Sequence, residues 1–215
     1  MKIKAVFFDV GETLVDESRD WNEWADYLGV SRLSFHASLG ALIERGQHHR
    51  QVFGIVRPGV NFAALLRERE ATGSVYSVTA EDLYPDVVPC LRWLREAGIL
   101  VGIAGNQPVE TEHALRSLGV PADIVASSAS WGVEKPDVGF FQRIVVEANG
   151  LHPSQIAYVG DRLDNDVEPA RQAGMVSVFL QRGPWALIQS RSGRFATPAY
   201  VIGSLSSLPD LLHTL

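Results

Sequence analysis

Four polar elements in this chain each follow a short apolar run, and together they have the makings of phosphoryl chemistry. Asp9 closes Ala5-Val6-Phe7-Phe8 and opens Asp9-Val10-Gly11-Glu12-Thr13-Leu14. Gly105-Asn106 follows Leu100–Ala104, and Lys135 stands in Gly132-Val133-Glu134-Lys135-Pro136-Asp137. Asp161 follows Val159-Gly160 and leads into Arg162-Leu163-Asp164-Asn165-Asp166. Two carboxylates brought together form a hard-oxygen site of the kind magnesium takes, completed by waters and substrate phosphate. A lysine beside them supplies a point charge for a phosphoryl group and its nucleophile. Aspartate is itself a covalent nucleophile toward phosphorus.

These residues work together only if the chain aligns the ends of the runs that precede them. Lys4–Val10, Leu100–Ala104, Ile124–Ala126, Ile156–Val159 and Val176–Leu180 have the length and apolarity of strands buried on both faces. Helical patterns alternate with them: Val87–Ala97, Val109–Leu118, Phe140–Ala148 and Asn165–Ala173, each stopping at or near a glycine. That alternation predicts an α/β fold, a Rossmann-like parallel sheet, in which ligands bind at the carboxyl ends of the strands. Between Ser18 and Ala80 the rhythm breaks. Three helical candidates, Trp21–Leu28, Leu33–Arg45 and Asn61–Glu70, stand there without a strand, and Gly46–Gly59 reads as a connection. The expected organisation is a core of residues 1–17 and 81–215 with a small α-helical cap of residues 18–80, Tyr84-Pro85 marking the return to the core.

The remaining reactive side chains read as structural. The six histidines show no metal-ligand spacing, and the neighbours His48 and His49 would not share a helix face. Trp21 and Trp24 read as cap packing, Trp131 as a residue near the mouth of the site, and Asp164 as a solvated carboxylate. Cys90, the only cysteine, excludes an internal disulfide and fits a reducing, cytoplasmic setting. A net charge of −6 argues against a nucleic-acid partner, which needs a basic face. With no run of about 18 apolar residues, no membrane span is expected.

Taken in order, the four elements resemble the haloacid dehalogenase (HAD) superfamily. They are a strand ending in Asp9 with Thr13-Leu14 after it, a strand ending in Gly105-Asn106, Lys135-Pro136-Asp137, and Gly160-Asp161 with Asn165-Asp166 four residues on. Leu83-Tyr84-Pro85-Asp86-Val87 is similar to the family's re-entry helix after a cap. The resemblance implies that Asp9 is nucleophile and metal ligand, with the Gly11 carbonyl and Asp161 completing a Mg2+ site. It implies that Lys135 neutralises charge between Asp9 and the phosphoryl oxygens. Asp166 would orient the metal waters or Lys135 without binding the ion itself.

Two positions depart from the pattern. Family phosphatases usually carry an aspartate two residues after the nucleophile, as acid and base; here it is Gly11. Glu12 is the candidate to replace it, though an extended segment would point its side chain elsewhere. The second strand normally ends in Ser or Thr; here Gly105 and Asn106 offer backbone amides and one carboxamide to a phosphate. The chain has only three lysines, Lys2, Lys4 and Lys135, so a phosphonate-cleaving branch that needs a cap lysine does not fit. Dehalogenases dispense with the missing aspartate but have little use for Asp161. The reading is a hydrolase, a Mg2+-dependent phosphatase of a small phosphate ester. The alternatives are a catalytically degenerate binding protein and, as a minor reading, a dehalogenase.

Overall fold

The computed structural model describes residues 2–73 and 75–215. The chain divides into two compact units, one of residues up to Asp16 with Val78–Leu215, the other Glu17–Ser77.

The larger unit holds a six-stranded sheet of β1 (Ala5–Phe8), β2 (Leu100–Gly105), β3 (Ile124–Ser127), β4 (Ile156–Gly160), β5 (Val176–Leu180) and β6 (Tyr200–Ile202). Its order is β3-β2-β1-β4-β5-β6, and every pairing is parallel. β1 and β4 are buried along their whole length, which is why their sequences carry no polar alternation. Phe8 lies level with Ile103 of β2 and Val159 of β4. That register is what makes Asp9 and Asp161 leave the sheet within two residues of each other, at one edge. β6 escapes the sequence pattern because it has only three residues and pairs with β5 alone.

The helices Val87–Glu96, Val109–Ser117 and Val138–Glu147 lie close to their expected spans. The fourth differs. Leu163–Val167 is a π-helical turn that runs into an α-helix at Glu168–Gln172. The amides of Asp166 and Val167 both reach the Arg162 carbonyl, at 3.0 and 3.1 Å, so one extra residue is wound into the turn after Asp161.

The smaller unit contains the helices Ser18–Tyr27, Arg32–Glu44, Gln51–Val56 and Phe62–Ala71. Gln51–Val56 lies inside the stretch expected to be a connection. Six residues are too few to show a period, and burial of Val52 and Phe53 stabilises the turn. Trp21, Trp24, Phe35, Phe53 and Phe62 make an aromatic core with ring centroids 4.7–6.1 Å apart. Arg69 is buried against it, its guanidinium 4.3 Å from the Trp24 ring and paired with Asp20 and Glu23. His48 and His49 stack at 4.4 Å, contrary to the helical argument, because they lie in a non-helical stretch.

Within the sheet, Gly102 faces the ring of Phe7, and a Cβ there would overlap the ring's edge. Gly102→Ala is expected to cost about 1–3 kcal/mol of stability through overpacking. Urea denaturation checks this; an unchanged midpoint would mean the fully buried Phe7 ring can turn aside.

Candidate active site

Asp9 is the residue after β1, and its amide donates to the Val159 carbonyl at 2.9 Å, which fixes its backbone to β4. Lys135 reaches it from the loop after the short helix Ser128–Trp131. The Lys135 ammonium donates to Asp9 Oδ1 at 2.6 Å and to Asp166 Oδ1 at 2.5 Å, and all three side chains are at least nine-tenths buried. Asp161 completes the group: one carboxylate oxygen from each of Asp9, Asp161 and Asp166 lies within 4.8 Å of the others. The chain therefore brings four of its sequence-predicted residues to one point.

The oxygens of the three acids are used differently. Asp166 spends Oδ1 on Lys135 and accepts the Arg162 amide at Oδ2, at 3.0 Å. The π-helical turn points it back at the site, and Gly160 makes room, since a Cβ on Gly160 would overlap the Asp166 side chain. Asp161 Oδ2 is buried with no hydrogen-bond partner among the described residues. A buried carboxylate oxygen left this way is costly unless a proton or a cation satisfies it.

Electrostatics agree with the geometry. Burial, then the charges of Asp166 and Asp9, pushes the Asp161 carboxyl well above the usual carboxylate range. Burial also raises Asp166, to about 6, although the Lys135 charge opposes it. For Lys135 burial works against the charged form, but the charges of Asp166 and Asp9 outweigh it and hold the ammonium well above its ordinary value. The lysine is an obligate cation among more negative charge than it can neutralise.

The other predicted residues are placed less simply. The Asn106 carboxamide is engaged with Lys135: Nδ2 donates to the Lys135 carbonyl and Oδ1 accepts the Lys135 amide, each at 2.8 Å. The side chain is a two-point clamp on the lysine's backbone, and it leaves the second Nδ2 hydrogen for another acceptor. Gly105 packs against the nucleophile candidate, since a Cβ there would lie 2.7 Å from Asp9 Oδ1. Gly11 pairs with Val15 in an isolated bridge. Glu12 is not on an extended segment: its backbone is left-handed, at φ +53°, and its buried carboxylate accepts the Tyr84 hydroxyl at 2.8 Å. Asp164 is half-buried rather than solvated, paired with Arg162 and accepting from Gln189. Trp131 packs on Phe140, with centroids 5.1 Å apart.

Tyr158 is a residue that sequence reasoning missed. Its ring lies 5.4 Å from the Lys135 ammonium and its hydroxyl donates to the Ala104 carbonyl at 2.8 Å. The signal was present: a tyrosine inside an otherwise apolar buried strand must find its hydroxyl a partner.

Lys135→Met would leave these acids without their cation, and breaking a buried pair from one side costs about 3–5 kcal/mol. Without the lysine, Asp166 loses an influence that lowers its pKa and rises further above its unfolded value. A raised folded pKa gives stability that is present at low pH and lost as pH rises through it. The loss in Lys135→Met, measured by urea denaturation, is therefore expected to be larger at pH 8 than at pH 5. Equal losses at both would show that the acids do not depend on the lysine's charge.

A family model of haloacid dehalogenase-like hydrolases matches residues 3–174. The glyceraldehyde 3-phosphate phosphatase of Methanopyrus kandleri is 32% identical over 213 residues, covering 88% of this chain and 89% of that one. In overall structure the chain is similar to a HAD phosphatase from Thermococcus onnurineus (24% identity, TM-score 0.60, 98% of each chain covered). It is similar also to a 2-haloacid dehalogenase from Pseudomonas syringae pv. Tomato (22% identity, TM-score 0.58, 99% of each chain). At those identities the likeness shows the fold, which serves both chemistries. The match over most of its length and the relative at 32% identity place this chain in the haloacid dehalogenase-like hydrolase family.

Proposed function

We propose that this hydrolase is a magnesium-dependent phosphatase that moves the phosphoryl group of a small phosphate ester to Asp9 and then to water. The observation that carries the reading is the surplus of buried carboxylate around Lys135, with Asp161 Oδ2 left without a partner. An all-oxygen donor set in that electrostatic state fits a hard divalent cation. Asp9, Asp161 and the Gly11 carbonyl would hold Mg2+, and Asp166, whose oxygens are both engaged, would act from behind them. When bound, the ion neutralises charge on the phosphoryl oxygens. The name of the Methanopyrus kandleri relative supports the same class of ester.

The chain's own residues account for the rest. Lys135 holds Asp9 Oδ1, which leaves the other carboxylate oxygen to attack phosphorus. The P–O bond to the leaving group breaks as the Asp9–phosphorus bond forms, and the departing oxygen takes a proton. Water then attacks the aspartyl-phosphate, releasing phosphate and restoring the Asp9 carboxylate. Gly11 supplies no acid for the departing oxygen, and Glu12 is held by Tyr84, so solvent supplies that proton. Esters whose leaving groups are already acidic suit such a site best.

Hydrolysis of an aryl phosphate with magnesium tests this. Activity that disappears in Asp9→Asn is expected, and Gly11→Asp is expected to speed alkyl phosphate hydrolysis by about 10²-fold or more. A wild type inert toward aryl phosphates that gains activity only in Gly11→Asp would mean a degenerate protein. Metal binding carries its own signature. Because burial and the charges of Asp166 and Asp9 raise the Asp161 carboxyl well above its usual range, a proton competes with Mg2+ there, so affinity is expected to rise with pH. Calorimetry in buffers of different ionisation enthalpy counts any proton released; no release and no pH dependence would contradict the competition.

A further inference from the structure

The turn that follows Asp9 is built under constraint. Its amides from Thr13 to Val15 all donate to the Val10 carbonyl, at 3.3, 2.8 and 2.9 Å, and Glu12 takes a left-handed backbone that glycine would adopt more readily. A conformation of this kind persists where surrounding structure over-determines it. The restraints come from two distant segments of the same unit. Leu83-Tyr84 contributes a bridge to Val15, an amide to the Leu14 carbonyl at 3.0 Å and the hydroxyl on Glu12. Arg182-Gly183, beyond β5, contributes the rest.

Arg182 is mostly buried and uses its guanidinium three ways. One N–H donates to the Thr13 carbonyl at 2.9 Å, another N–H donates to Asp86 Oδ2, and the guanidinium carbon lies over the Tyr84 ring, 4.1 Å from its centre. Asp86 Oδ2 is itself fixed by the Ser204 hydroxyl at 2.7 Å and the Leu205 amide at 2.9 Å. Next to Arg182, Gly183 leaves the space that Glu12 fills: a Cβ there would lie 2.6 Å from Glu12 Oε2. One planar fork thus ties the nucleophile's turn, the re-entry segment and the end of β5 together. A lysine, with a single point charge and no plane, cannot make these contacts at once.

We propose that Arg182 is a positioning residue which, through the Thr13 carbonyl and the Tyr84–Glu12 pair, fixes the turn bearing the Gly11 carbonyl and so sets the affinity of the acidic site for a divalent cation. The inference rests on the magnesium reading above. Its action differs from that of a residue that only supports the fold, because the metal's affinity responds to the turn whether or not global stability changes.

The test is Mn2+ binding to metal-free protein, followed by electron paramagnetic resonance, for the wild type, Arg182→Lys and Tyr84→Phe. Arg182→Lys keeps a cation for Asp86 but loses the fork, and Tyr84→Phe keeps the ring beneath Arg182 but loses the bond to Glu12. Both are expected to bind Mn2+ about 10-fold more weakly, the usual scale for groups that orient ligands. Aryl phosphate hydrolysis lost at limiting magnesium should return as magnesium is raised. A wild-type dissociation constant in Arg182→Lys overturns the proposal, whatever its melting temperature. A wild type that binds no Mn2+ overturns the metal reading itself, and this inference with it.

Discussion

A single buried ammonium cannot neutralise three carboxylates, and most of what is distinctive in this chain follows from that imbalance. Lys135 satisfies one oxygen of Asp9 and one of Asp166, both at ion-pair distance and away from water. Asp161 stands beside them with an oxygen that has no hydrogen-bond partner among the described residues. Burying charge this way is costly, and proteins retain such a group where a ligand completes it. A divalent cation supplies what the site lacks and a proton substitutes for it: burial raises the carboxyls of Asp161 and Asp166, and the acids' charges hold the Lys135 ammonium well above its ordinary value.

The sheet exists, for this purpose, to aim side chains. Parallel pairing of β1 with β2 and β4 in one register delivers Asp9, Gly105 and Asp161 to the same edge. Small residues do the fine adjustment. Gly105 leaves room beside Asp9, Gly160 leaves room for Asp166, and Gly183 leaves room for Glu12. Asn106 holds both the amide and the carbonyl of Lys135, so the cation is fixed at its backbone as well as at its tip. The result is a preorganised arrangement that has little reorganisation left to do when a phosphoryl group arrives.

Much of this was legible in the sequence because fully buried parallel strands write themselves as unbroken apolar runs, and acids at their ends interrupt them. Asp9 and Asp161 stand out for that reason, and Lys135 stands out because lysine is scarce in this chain. What the sequence hid depends on how segments far apart approach one another. Nothing local says that Asn106 will face the Lys135 peptide, that Glu12 will adopt a left-handed backbone beside Tyr84, or that Arg182 will reach Thr13. The π-helical turn at Leu163–Val167 was hidden too, since one extra residue in a turn leaves the apolar spacing almost unchanged while redirecting Asp166. Short elements, the strand Tyr200–Ile202 and the helix Gln51–Val56, carry too few residues to show a period.

Gly11 sets this chain apart from phosphatases that carry an acid at that position, and the site compensates in charge rather than in proton transfer. On the proposed reading, its capacity lies in attracting a cation and presenting Asp9. The most direct test is a crystal of the protein grown with Mn2+ and examined by anomalous diffraction. The account predicts one strong peak bonded to carboxylate oxygens of Asp9 and Asp161, with Asp166 outside bonding distance and still paired with Lys135. A crystal at saturating Mn2+ with no peak between Asp9 and Asp161, or with the ion held elsewhere, would contradict it.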